Sequence, residues 1–128
     1  MSYYFSKTLP IAFEEAIAKA TDELKKEGFG ILTEIDVKQT LKEKLDVDCN
    51  KYHILGACNP TFAYQALQTE NQIGLMMPCN VIVQETKEGQ IEVSAIDPVA
   101  STQAIENPEL KEIIQQVQAK LKTVIENI

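Results

Sequence analysis

Apolar residues along the chain follow two periods, and the switches between them mark out its elements. Phe13, Ala16, Ile17, Ala20 and Leu24 recur at i, i+3, i+4, i+7 and i+11, which is one face of a helix. Glu14 and Glu15 stand near its positive end and Lys25 and Lys26 near its negative end, where each complements the helix dipole. Pro10 suits a first turn, Thr8 is the nearest side chain for a cap, and Gly28 is the expected left-handed stop. A helix is therefore predicted near 11–27. A second stripe, Leu110, Ile113, Ile114, Val117, Leu121, Val124, Ile125 and Ile128, predicts a long helix near 108–127, opened by Asn107-Pro108. Each buried aliphatic side chain contributes roughly 1.5–3 kcal/mol, so both stripes must lie against a core or a partner.

Between the stripes the period is two. Strands are expected over 2–6, 29–35, 52–57, 80–86 and 90–96, with Phe29, Ile31, Thr33 and Ile35 on one side of the second. Lys87-Glu88-Gly89 joins the last two strands as a tight hairpin. Asp36 with Gln39 is a capping-box pattern, opening a short helix that carries Val37, Leu41 and Leu45. Asn59 and Pro60, a cap and a first helical residue, open another that runs to about Gln68 and buries Ala63, Ala66 and Leu67. The apolar run 73–77 stops at Pro78, Asp97-Pro98 ends the last strand, and 99–106 is a partly helical link. The hairpin and the short connections favour antiparallel pairing over a parallel α/β sheet. The fold class is α+β: one antiparallel sheet with two long helices on one face and short helices inserted. The 128 residues make a single domain, 1–128.

Composition narrows the function. The net charge is −7 and all twelve basic residues are lysine. Without arginine there is no planar fork for phosphate or guanine, and an acidic chain has no footprint for nucleic acid or for an anionic membrane surface. No apolar run approaches the roughly 20 residues that cross a bilayer, the first eight residues are too polar for a secretory signal, and the cysteines lack CxxC spacing. A reducing cytoplasm is the expected location.

Candidate chemistry concentrates on few residues. Cys58 precedes the cap of the helix opened by Asn59 and Pro60, where the dipole favours a thiolate or a small anion. Pro60 removes one amide donor but holds the remaining ones in place. Met76 and Met77 are available as a soft apolar wall. Cys79 follows Pro78 at a strand start and is the natural second thiol, provided the two Cα atoms approach within about 7 Å. The alternative is that both cysteines are small packed residues. Cys49, His53, Cys58 and Cys79 are the only set that could ligate zinc through sulfur and nitrogen, but their spacing matches no known site. His53 by itself reads as a hydrogen-bonded strand residue, and Glu85, Glu88 and Glu92 as a solvated face. Gly28-x-Gly30 precedes a strand and lacks a third glycine, which excludes a dinucleotide loop.

Four segments taken together carry a family resemblance. They are Lys26-Glu27-Gly28-Phe29-Gly30-Ile31-Leu32-Thr33-Glu34-Ile35-Asp36, Tyr52-His53-Ile54-Leu55-Gly56-Ala57-Cys58-Asn59-Pro60, Gly74-Leu75-Met76-Met77-Pro78-Cys79-Asn80-Val81 and Ala95-Ile96-Asp97-Pro98. In this order and spacing the chain resembles the domain of unknown function 302 family over nearly its whole length. The resemblance implies a TATA-binding-protein-like arrangement of strand, helix, four strands and helix, and a homodimer. It implies no reaction, and DNA binding does not travel with a fold.

The function expected from the sequence is that of a cytoplasmic, homodimeric small-ligand-binding or accessory protein without assigned catalysis or cofactor. Its site is the Cys58–Asn59–Pro60 corner with Cys79, its ligand a small molecule or anion, and it touches neither nucleic acid nor membrane. The alternative is a thiol-dependent redox or sulfur-handling protein using Cys58 with Cys79. A weaker one is metal binding by the cysteines and His53.

Overall fold

The first apolar stripe becomes α1 (Phe13–Lys26), which buries Ala16, Ala20 and Leu24 and begins without a side-chain cap. Its end is the expected one: Gly28 sits at φ +88°, and the Phe29 and Gly28 amides donate to the Leu24 and Lys25 carbonyls. The second stripe becomes α5 (Pro108–Asn127). Asn107 caps it, Oδ1 accepting from the Leu110 amide at 3.3 Å, while Nδ2 donates to the Thr69 carbonyl at 3.1 Å. The computed structural model describes residues 2–128.

The strands are β1 (Tyr4–Leu9), β2 (Gly30–Asp36), β3 (Tyr52–Cys58), β4 (Cys79–Glu85) and β5 (Ile91–Ile96). They form one sheet in the order β1-β5-β4-β3-β2, with every neighbouring pair antiparallel. Short helices α2 (Val37–Leu45), α3 (Pro60–Thr69) and α4 (Pro98–Ser101) and a 3-10 turn at Ile73–Met76 lie between them. This is the α+β architecture that the alternating and helical periods predict. The first strand is displaced, to Tyr4–Leu9 rather than 2–6, because it pairs residue for residue with β5 as far as Leu9–Ile91.

Both long helices cover the same face of the sheet. Leu55, Val81, Val83, Val93 and Ala95 point toward Ala16, Ala20 and Leu24 of α1 and Val117, Leu121 and Val124 of α5, in one continuous cluster. A second, smaller cluster joins Ala66 of α3, Ile73 of the 3-10 turn, and Leu110 and Ile114 of α5. The opposite face of the sheet is not covered by the two long helices. The ladder sets Ile35, Ile54, Ile82, Ser94 and Ser6 in a single row across it.

Two expectations need correction. Phe29, Ile31, Thr33 and Ile35 do not share a side of β2. The register shifts between Ile31 and Thr33, and Leu32 is the extra residue of a bulge. Ile31 packs on the core, while Thr33 and Ile35 pair with Gly56 and Ile54 on the opposite face. Second, α3 buries Ala66 but not Leu67, which is 44% exposed, while the capping bond of α2 forms as expected from the Gln39 amide to Asp36 Oδ1 at 3.0 Å. Val37 and Leu41 of α2 are half-buried and border a hollow with Tyr52 of β3.

Candidate functional site

A cavity of about 220 Å³ separates the two hydrophobic clusters and is partly open to solvent. Phe29, Ala57 and Val117 come to its wall from the main cluster, and Ala66, Ile73 and Ile114 from the smaller one. α5 serves both clusters, with Val117 in the first and Leu110 and Ile114 in the second. Wider hollows, such as one bordered by Pro10, Glu15 and Gln90, are more open and more polar.

Cys58, Asn59 and Cys79 all line this cavity, beside Met76, Met77 and Pro78. The two cysteines come from the facing ends of adjacent strands. Ala57 is the ladder partner of Cys79, so Cys58 is one residue from direct opposition. Both are free thiols and half-buried. Burial pushes the Cys79 thiol up to about 11, and negative charge on Cys58 adds to the rise. Cys79 is therefore held as a neutral thiol at physiological pH.

Asn59 occupies the cap position of α3, but its side chain does not cap that helix. Nδ2 instead donates to the Glu27 carbonyl at 3.1 Å, fastening the end of α1 to the cavity wall. The spacing Asn-Pro announces a helix start equally well in both cases; only the position of Glu27 decides which carbonyl or amide the side chain meets. Pro60 stands at the first turn of α3 as expected.

No lysine, aspartate or glutamate lines the cavity. Its polar side chains besides Asn59 are Ser101 and Thr102, and both hydroxyls donate to the Pro98 carbonyl, at 3.3 and 2.6 Å. These two were not foreseen. The Pro98 carbonyl receives them because Asp97 Oδ1 accepts from the Val99 amide at 3.0 Å and starts α4 there. Gln118 Nε2 of α5 donates to both Asp97 carboxylate oxygens, at 3.1 and 3.2 Å, and anchors this corner. Leu32, thrown outward by the bulge, and Met76 line the cavity while 68% and 44% exposed, so they stand at its mouth.

The four residues weighed as zinc ligands do not converge. His53 faces α1: its ring lies 6.4 Å from that of Phe13, and Nε2 is 3.5 Å from Glu34 Oε1. Cys49 borders a separate hollow with Val37, Leu41 and Tyr52. Among the described residues, no group of three or more His, Cys, Asp or Glu side chains is placed to hold a metal ion. No helix among them is long and apolar enough to cross a membrane.

Among curated proteins, none matches the sequence. A solved structure does: the crystal structure of an uncharacterized conserved DUF302 protein from Bacillus stearothermophilus is 26% identical, with a TM-score of 0.91 over 98% of each chain. The model of the family described as "Domain of unknown function DUF302" matches residues 5–128. With four-segment sequence pattern, five-stranded sheet and near full-length structural likeness in agreement, the chain belongs to the DUF302 family.

Proposed function

We propose that this protein is a small-ligand-binding domain, and that its ligand is a small, predominantly apolar molecule held in the cavity between the two hydrophobic clusters. The observation that carries this is the cavity itself: about 220 Å³, walled mainly by aliphatic, aromatic and sulfur side chains, and lined by no charged group. Apolar cavities of about 150 Å³ take up benzene or xenon, and drug-sized ligands need about 300–1,000 Å³. This volume suits a ligand between those limits. Lack of a charged wall residue favours a neutral ligand over the anion suggested by the α3 start alone.

Toluene tests the reading. Methyl resonances of Ala63, Ile73, Ile114 and Val117 are expected to shift on titration, and the melting temperature to rise with toluene concentration. Ala63→Phe, which places a ring in the cavity, should abolish both responses while leaving the far-UV circular dichroism unchanged. Cavity methyls that stay unmoved up to toluene saturation would refute the proposal.

A thiol-dependent role for Cys58 and Cys79 is the second reading, supported by their shared cavity wall and adjacent strand ends. Cys58 is its attacking thiol, since Cys79 holds its proton up to about pH 11. Rapid modification of Cys58 by iodoacetamide at pH 6.5, lost in Cys58→Ser, is the outcome this role requires. Protection until the protein unfolds would exclude it.

The proposal extends to a cytoplasmic homodimer whose second copy covers the sheet face that the two long helices leave open. Three isoleucines in one row, Ile35, Ile54 and Ile82, support it, and Ile35 is 46% exposed in the single chain. Sedimentation should give a dimer at tens of micromolar, and Ile82→Lys a monomer that still binds toluene. A wild-type monomer at high micromolar concentration would contradict this extension alone.

A further inference from the structure

Apart from the two thiols, which are weak donors, the polar side chains along the cavity are Asn59, Ser101 and Thr102, and each gives a proton to a main-chain carbonyl. Asn59 Nδ2 donates to Glu27 at 3.1 Å, and the Ser101 and Thr102 hydroxyls donate to Pro98 at 3.3 and 2.6 Å. A carbonyl can only accept, so these bonds decide how each group is turned. A hydroxyl has a single proton, and Ser101 and Thr102 are left with lone pairs alone. Asn59 must turn its nitrogen to Glu27, which leaves its Oδ1 on the other branch of the side chain.

Asn59 Oδ1 is the open acceptor of the cavity wall. It does not cap α3, and among the described residues no donor is bonded to it. Among those residues, too, no side-chain nitrogen or oxygen is both buried and without a partner. An unpartnered oxygen that is not buried faces accessible space, and the cavity is the hollow that Asn59 borders.

We infer that the ligand of this cavity is a neutral aromatic ring carrying one hydrogen-bond donor, of the phenol or indole class, and that its donor bonds to Asn59 Oδ1. The inference rests on the reading that the cavity admits an apolar ligand. Preference for a ring comes from the wall: Phe29 and Phe62 line it together with Met76 and Met77, and both aromatic rings and thioether sulfur make favourable contacts with a second ring. Its volume of about 220 Å³ gives room for more than benzene, which a cavity of about 150 Å³ holds. A charged ring would enter without a counter-ion, since no charged side chain lines the wall. Preference for a donor comes from Oδ1. On entry the ligand displaces water from that oxygen; an N–H or O–H restores the bond, whereas a ligand with acceptors only leaves the oxygen unpaired.

The test compares indole with benzofuran, which has the same shape but an oxygen acceptor where indole has its N–H donor. In titrations of the full-length protein followed by the cavity methyl resonances, indole is expected to bind at least about threefold more tightly, the worth of a modest net hydrogen bond. Asn59→Leu should bring the two affinities together by weakening indole, whereas Thr102→Val should keep their ratio. The ratio is the quantity to read, because a wall loosened by loss of the Glu27 bond changes both affinities alike. If Asn59→Leu folds poorly, isotope-labelled indole on the wild type serves: its bound N–H proton should move downfield and show a nuclear Overhauser contact to the Asn59 side-chain amide, and absence of that contact overturns the inference. A wild-type ratio below about threefold also overturns it, and tighter binding of benzofuran would mean that wall donors, such as the amides in the first turn of α3, select the ligand instead. A ratio that survives Asn59→Leu overturns it as well. If toluene enters the cavity but indole has no advantage over benzofuran, only this inference falls; if none of the three enters, the cavity reading falls with it.

Discussion

Gly56→Ala is expected to lower the unfolding free energy by about 3 kcal/mol, the upper end of the usual cost of overpacking. Gly56 lies in the middle of β3 and pairs with both Thr33 and Asn80. A β-carbon there would stand 2.1 Å from Thr33 Oγ1 and 2.8 Å from the Pro78 ring. Thr33 is β-branched and stiff at χ1, and the proline ring is fixed to the backbone, so neither neighbour yields cheaply. The contact belongs to the bulge: the shift at Leu32 is what sets Thr33 on the face of Gly56. A double variant, Gly56→Ala with Thr33→Ala, should recover at least about 1 kcal/mol, because the nearest clash is gone while the one with Pro78 remains. Urea unfolding at pH 7 measures all three variants. A Gly56→Ala protein within about 0.5 kcal/mol of the wild type would show that this crossing is loose.

Raising the pH from 8 to 11 is expected to remove up to roughly 3 kcal/mol of stability through Cys79 alone. Its thiol rises from an ordinary value near 9.0 to about 11, chiefly because burial disfavours the thiolate and secondly because Cys58 repels it. The folded protein therefore holds this proton more tightly than the unfolded chain. The contribution is complete below pH 9, declines as the unfolded thiol ionises, and is gone once pH passes 11. Lysines titrate in the same range, so the informative quantity is the difference between wild type and Cys79→Ala. Urea midpoints taken every half pH unit should show that difference constant to pH 8.5 and falling above 9. A difference flat to pH 11 would mean that the Cys79 thiol has ordinary access to water.

The elements of the fold were legible because their signals are local. The α1 and α5 stripes, the Gly28 stop, the Asn107-Pro108 start and the 87–89 hairpin each depend on residues within a few positions of one another. Helix period and strand period differ enough that one chain order, with its short connections, pointed to an antiparallel sheet with helices on one face. Family membership was legible in the same way, through four short segments in fixed order. The Cys58–Asn59–Pro60 corner was marked correctly as the end of a strand and the start of a helix.

What each side chain does there depended on residues far away in sequence. Asn59 meets the Glu27 carbonyl, 32 positions earlier, and so ties α1 to the cavity wall where a cap had been expected. Ser101 and Thr102 carried no sequence signal at all; they reach the cavity only because Asp97 turns the chain and Gln118 holds it there. The Leu32 bulge breaks an alternation that looked regular, since a bulge arises from the mismatch between two paired strands and not from either one alone. His53 and Cys49 lie apart from Cys58 and Cys79 because of strand direction and the loop before β3, and their spacing already matched no known zinc site. The elements, their order and the family could be read from local periodicity and short segments alone. The cavity, its four sulfurs and the buried Cys79 thiol were decided only by tertiary structure, because a void exists where packed layers fail to meet, and no single segment contains it.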